Sequence, residues 1–103
     1  MPLGGVMIGA GKTERDAAEL ARHIVTWRKL LGYTAAQVSE RAGVSRPTLR
    51  KIEHGDPGVR LGSVLAVLRV LGQNTKMLHA VDPYESDLGR ASADRILPQR
   101  VRR

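Results

Sequence analysis

The residues best suited to chemistry form a short basic run in the middle of the chain. Arg46, Arg50 and Lys51 carry positive charge at neutral pH, and Thr48 adds a hydroxyl that donates and accepts hydrogen bonds. A guanidinium group binds a phosphate, or the edge of a guanine base, through two parallel hydrogen bonds. Such a cluster is suited to binding an anionic polymer, and it contains no nucleophile or general base for covalent catalysis.

Other candidate sites fail on spacing. The segment GAGKT resembles a phosphate-binding loop, but Val6 stands where that motif requires its first glycine. The three histidines are far apart in the sequence, and Asp82, Glu85 and Asp87 do not have the spacing of a calcium loop. The sequence has no cysteine. We therefore expect no enzyme activity, no cofactor and no metal site, and a nucleotide hydrolase acting through Lys12 is the alternative to test.

The composition describes a small basic protein. Its 103 residues include 17 Lys and Arg against 10 Asp and Glu, for a formal net charge of +7, and the pI is near 10.8. This charge suits a nucleic acid or an anionic membrane surface, so the position of the charges must decide between them. The longest apolar run, Leu61–Leu68, is far shorter than the roughly 20 residues of a membrane span. We expect a cytoplasmic protein that does not bind membranes.

Periodic apolar residues predict an all-α protein of five helices. Apolar side chains between residues 17 and 31 recur in steps of three and four, which predicts a first helix that begins near Thr13. A similar stripe over residues 61–71 predicts the fourth helix. Residues 74–81 fit either a fifth helix or a short strand, and both alternatives stay open.

Two short helices joined by a tight turn lie between these segments. Thr34 and Gln37 have the spacing of a capping box at the start of the second helix, which ends at a glycine. Ser45 is typical of an N-cap for a third helix, and Pro47 fits the first turn because its missing N–H needs no partner there. The pattern is that of a helix-turn-helix, with the outer face of residues 45–53 exposed.

The ends of the chain lack this periodicity. Residues 1–12 are rich in glycine and are expected to form a flexible arm. Residues 82–103 are expected to form a flexible basic tail. The folded domain is therefore predicted to occupy residues 13–81.

The stretch WRKLLGYTAAQVSERAGVSRPTLRKIEHG is similar to the XRE/Cro family of phage repressor-like DNA-binding domains, and the similarity extends over about residues 17–80. It implies a five-helix repressor-like fold whose third helix enters the major groove of double-stranded DNA. The residues that the resemblance places at or near base edges are Arg46, Pro47, Thr48, Arg50 and Lys51.

The resemblance also implies an internal ion pair between Arg28 and Glu53 and a phosphate contact at the start of the second helix. Ala35 stands where family members usually carry the glutamine that makes this contact. We expect Thr34, the N–H groups of the second helix and Arg60 to hold the phosphate instead. The complete set of expected DNA-binding residues is Thr34, Gln37, Ser45, Arg46, Pro47, Thr48, Arg50, Lys51 and Arg60.

These expectations describe a transcriptional repressor that binds a palindromic operator as a homodimer, with Val67, Val70 or Met77 at the interface. The alternative is an antitoxin. The basic end LPQRVRR resembles that of HipB-type proteins, which implies a HipA-like kinase toxin as protein partner.

Overall fold

The computed structural model describes residues 4–97, with the side chains of residues 11–93 and 95–97. All regular structure in this range is helical, which confirms the all-α prediction, and residues 74–80 form helix and not strand. The α-helices are α1 Gly4–Leu30, α2 Ala35–Ala42, α3 Arg46–Glu53, α4 Leu61–Val70, α5 Asn74–Ala80 and α6 Asp87–Ile96, with a 3-10 turn at Pro83–Glu85. The chain divides into two compact units between Gly72 and Gln73.

The core of the first unit takes one large side chain from each of its four helices. Ile24 of α1, Val38 of α2, Leu49 of α3 and Val67 of α4 are all almost completely buried. Burial of each such side chain stabilises the fold by about 1.5–3 kcal/mol. Because Val67 lies in this core, it is not available for a dimer interface, and that part of the sequence prediction is wrong.

The first helix is longer than the sequence predicted. It begins at Gly4 and not near Thr13, so most of the segment expected to be a flexible arm is helical. Each residue added to an existing helix gains a hydrogen bond without the cost of a new nucleus, and this extension needs no amphipathic pattern. Thr13 therefore lies inside α1 and does not cap it. Residues 1–3 lie outside the described range.

The second unit contains a 3-10 turn and a helix, α6, within the residues that the sequence predicted to form a flexible tail. Ser86 caps α6 by accepting a hydrogen bond from the Gly89 N–H at 2.9 Å, and Arg90 donates to the carbonyl of Tyr84 at 2.6 Å. A Cβ at Gly89 would overlap the carbonyl of Pro83, so this packing requires glycine. The start of α6 is therefore defined by local hydrogen bonds and not by a long apolar stripe, which is why the sequence did not predict it. The basic end at residues 98–103 lies outside the described range.

Candidate nucleic-acid interface

The turn between α2 and α3 is held by backbone and side-chain hydrogen bonds. Gly43 has φ 69°, in the left-handed region that glycine adopts without strain. The N–H groups of Gly43 and Val44 donate to the carbonyls of Glu40 and Ser39 at 3.2 and 3.1 Å, which closes a Schellman motif. The hydroxyl of Ser39 donates back to the carbonyl of Val44. Ser39 is buried, and sequence analysis missed it because a serine inside a helix carries no distinct signal.

The start of α2 is a complete capping box, as predicted. The Thr34 N–H donates to Gln37 Oε1 at 2.8 Å, and the Gln37 N–H donates to Thr34 Oγ1 at 3.0 Å. The box uses only acceptor atoms of the two side chains. The Thr34 hydroxyl proton and the Gln37 amide NH₂ therefore stay available as donors at an exposed helix N-terminus.

A pair of hydroxyl groups caps α3. The Thr48 N–H donates to Ser45 Oγ at 3.1 Å, and the Ser45 hydroxyl donates to Thr48 Oγ1 at 2.9 Å. The Ser45 proton is thus used inside the protein. The Thr48 hydroxyl proton remains free to donate outward.

The outer face of α3 is basic and exposed. Leu49 and Ile52 face the core and are 1% and 4% exposed. At 3.6 residues per turn, Pro47 lies opposite them, with Arg50 and Lys51 on either side of it. The side-chain cations of α3 have no hydrogen-bond or ion-pair partner among the described residues. Their charges are therefore available to a ligand.

A bidentate ion pair connects α1 to the last turn of α3. Arg28 Nε lies 2.7 Å from Glu53 Oε2, and a second nitrogen lies 3.2 Å from Oε1. The third guanidinium nitrogen donates to the carbonyl of Tyr33 at 3.2 Å. The two side chains are only 15% and 13% exposed. This is the pair that the resemblance implies, and its geometry fixes α3 and the loop before α2 to the same helix.

The Tyr33 ring extends this connection to α2. The Arg41 guanidinium lies 4.6 Å from the ring centroid, which is a favourable cation–π distance. Tyr33 therefore contacts Arg28 through its carbonyl and Arg41 through its ring.

Two small clefts lie on opposite sides of α3. The first, here called the Arg46 cleft, has a volume of about 130 Å³ and is lined by Ala35, Arg46, Leu49, Arg50, Glu53 and His54. It brings the N-terminus of α2 next to two arginines. The Glu53 carboxylate is already paired with Arg28, so the cations of this cleft are left for an anion.

The second, here called the Arg60 cleft, has a volume of about 210 Å³ and is lined by Thr48, Lys51, Asp56, Gly58, Val59, Arg60 and Ser63. Arg60 is the N-cap of α4 and makes no side-chain cap. The N–H groups of Leu61 and Gly62 therefore have no partner among the described residues. The cleft holds two cations, Lys51 and Arg60, against the single carboxylate of Asp56, an arrangement that attracts phosphate. Ser63 was missed by the sequence analysis.

The structure therefore sorts the predicted residues into groups. Thr48, Lys51 and Arg60 meet in one cleft, and Arg46 and Arg50 meet Ala35 in the other. Thr34, Gln37 and Ser45 form the caps at the starts of α2 and α3.

Residues 24–76, just over half of the chain, match the model of a family described as Helix-turn-helix. The chain belongs to this XRE-type helix-turn-helix family. Its members are DNA-binding regulatory proteins, so the protein is a DNA-binding transcription regulator. No curated protein and no solved structure matches the chain. The HipB-type subtype stays a prediction.

Two other kinds of site, a membrane-spanning helix and a metal-binding cluster, are not found among the described residues. None of the helices in the range 4–97 is long and apolar enough to cross a membrane. Within the same range, no three histidine or acidic side chains are grouped so that they could hold a metal ion.

Proposed function

We propose that this helix-turn-helix protein is a dimeric repressor that reads its operator with α3 in the major groove. One observation supports this best. The exposed basic face of α3 lies between two clefts that each combine a helix N-terminus with cationic side chains. An α-helix fits the major groove, which is about 12 Å wide and has a phosphate backbone along each edge.

The two clefts are suited to these two backbones. In the Arg60 cleft, Arg60 and the N–H groups of α4 would hold one phosphate. At the start of α2, Thr34 and Gln37 offer free donors in place of the missing glutamine side chain at Ala35. Contacts of this kind set the position of a protein on DNA without reading its sequence.

Base reading belongs to the exposed face between the clefts. Arg46 and Lys51 have side chains long enough to reach guanine O6 and N7, and Arg50 extends from the same face. Pro47 has no N–H and presents an apolar ring, which suits the methyl group of thymine. A single helix of this length reads only a few base pairs, so two copies on a palindromic site are the usual route to sufficient affinity.

Base reading and phosphate binding can be separated by replacing cations on the exposed face of α3 and, independently, the cation of the Arg60 cleft. An operator is first selected from random duplexes with the full chain. Arg46→Ala and Lys51→Ala should each cost about 1–3 kcal/mol on this operator and much less on a scrambled duplex. Arg60→Ala should weaken both duplexes alike and lower the magnitude of the salt slope by about one.

Arg69→Ala is the matched control, since Arg69 is an exposed cation at the other end of α4. It should change neither operator preference nor the salt slope appreciably. If Arg46 and Lys51 variants lose equal affinity for operator and scrambled DNA, α3 does not read bases. Sedimentation of the complex on an intact and a half operator measures whether two copies bind together.

A further inference from the structure

An apolar groove runs along α1 on the side where the loop after α3 packs. Its volume is about 400 Å³. Its base consists of Ala21, Ile24 and Ile52, which are all buried. Leu20 and Leu61 stand at its edges and are 40% and 70% exposed. The α1 residues that line it mostly precede residue 24, so this wall lies outside the family match.

Small residues create this space. α1 presents Ala17 and Ala21 to the groove one turn apart, and neither side chain can fill it. Gly55 holds the opposite wall close to the helix, because a Cβ there would lie only 2.9 Å from Ala18 Cα. The groove is therefore bounded by a fixed loop contact and is already formed without a ligand. Its volume lies in the range of about 300–1,000 Å³ that is usual for small-molecule sites.

The charge of the groove is opposite to that of the protein. Two carboxylates, Asp16 and Asp56, line it, and no Lys, Arg or His does, although the chain has a net charge of +7. Asp56 accepts one hydrogen bond, from the Gly58 N–H at 2.8 Å, through a single oxygen. The Asp16 carboxylate has no partner among the described residues. Asp56 also lines the Arg60 cleft but forms no ion pair with Lys51 or Arg60. Both carboxylates can therefore receive a cation.

We propose that this groove is a binding site for a small amphipathic cation. The apolar body of the ligand packs against Ala17, Leu20 and Ala21, and an ammonium or guanidinium head group lies near Asp16 and Asp56. The groove shares Asp56 and Val59 with the Arg60 cleft, but the packing of the ligand body and the pairing of its head group do not require bound DNA. A nucleotide or another anion is disfavoured in this groove because no Lys, Arg or His lines it to offset the two carboxylates, in contrast to the Arg60 cleft.

Three probes with the same apolar body test the head group. The full-length ¹⁵N-labelled protein is titrated in low salt with 4-phenylbutylamine, 4-phenylbutanol and 4-phenylbutyrate, and amide shifts are followed by NMR. The amine should move the signals of residues around Ala17, Ala21 and Gly55. It should bind about fivefold more tightly than the alcohol, in keeping with exposed ion pairs, and the acid should bind most weakly.

Matched variants locate the site. Asp16→Asn and Asp56→Asn should each reduce the preference for the amine over the alcohol, and the second keeps an acceptor for the Gly58 N–H. Glu14→Gln is the control, because Glu14 is an exposed carboxylate of α1 that does not line the groove. It should leave the preference unchanged. Ala17→Leu should weaken all three probes by filling the groove.

Several results would overturn the proposal. Equal affinities for the amine and the acid would remove the role of the carboxylates. Shifts centred away from α1 and the Gly55 loop would place the site elsewhere. If Ala17→Leu dissociates a dimer in sedimentation experiments, the groove is occupied by a second copy of the chain. Circular dichroism of each variant confirms that the helices are retained, so loss of binding is not loss of fold.

Discussion

Arg28 and Glu53 have a structural role that differs from that of the exposed cations of α3. Their bidentate contact is largely shielded from water, and it joins two residues that are 25 positions apart in the chain. Such a pair adds little net stability compared with apolar residues, but the loss of one partner is costly. Its value lies in fixing the end of α3.

The ion pair gives a prediction at the level of single residues. Glu53→Gln should lower the free energy of unfolding by about 3 kcal/mol, at the lower end of the range for buried pairs because both groups keep some exposure. The double variant Arg28→Met, Glu53→Gln should cost less than the sum of the single changes Arg28→Met and Glu53→Gln. Urea denaturation of the four proteins measures this coupling. Strict additivity would show that the two groups act independently.

The turn between α2 and α3 requires glycine at position 43 because of its backbone conformation, and not because a side chain would lack room there. A Cβ at Gly43 would meet no atom within 4 Å, and the same holds at Gly62 within α4. Of these two glycines, Gly43 has a positive φ and Gly62 does not. The two glycines therefore separate the cost of a left-handed backbone from the cost of crowding.

Replacing these two glycines by alanine should change the stability of the protein in opposite directions. Gly43→Ala should destabilise the protein by about 1–2 kcal/mol, because an L-residue resists the left-handed conformation. Gly62→Ala should stabilise it by about 0.5–1 kcal/mol, because Gly62 is exposed in the first turn of α4 and alanine adopts the helical conformation at a lower entropy cost than glycine. Thermal melts of both variants test the pair. A stabilised Gly43→Ala protein would show that the turn has another conformation.

Sequence predicts these short helices well because their ends are encoded locally. The Thr34 box and the Ser45 cap each depend on residues three positions apart, so they are visible without a structure. The start of α1 has no such signal, and neither does the start of α5, whose N-cap residue Gln73 makes no side-chain cap.

The clefts could not be predicted, for a different reason. Ala35 meets Arg46 and Lys51 meets Arg60 only when neighbouring helices pack at a particular angle. A linear pattern of residues does not contain that angle. The sequence therefore predicts a set of DNA-binding side chains, but not how these side chains are grouped around α3.

Because the chain divides into two compact units, we expect the first unit to fold without the second. Among described residues of the first unit, the buried apolar side chains all come from positions 21–71. A chain that ends after Gly72 should therefore keep a single cooperative thermal transition. Circular dichroism and calorimetry measure this. A broad, non-cooperative melt would show that residues after Gly72 are needed for the core.

The buried side chains of the first unit also have a consequence for folding speed. Ile24, Val38, Leu49 and Val67 come from four helices that follow one another directly along the chain. The main contacts pair α1 with α3 and α2 with α4, so each closes a loop that contains one intervening short helix. The entropy cost of closing such a loop grows only slowly with its length, so little is lost before the core forms. Helical proteins with such local contacts fold within microseconds to milliseconds. After any transient unfolding, this protein should restore its α3 surface faster than it could find DNA again by diffusion in dilute solution.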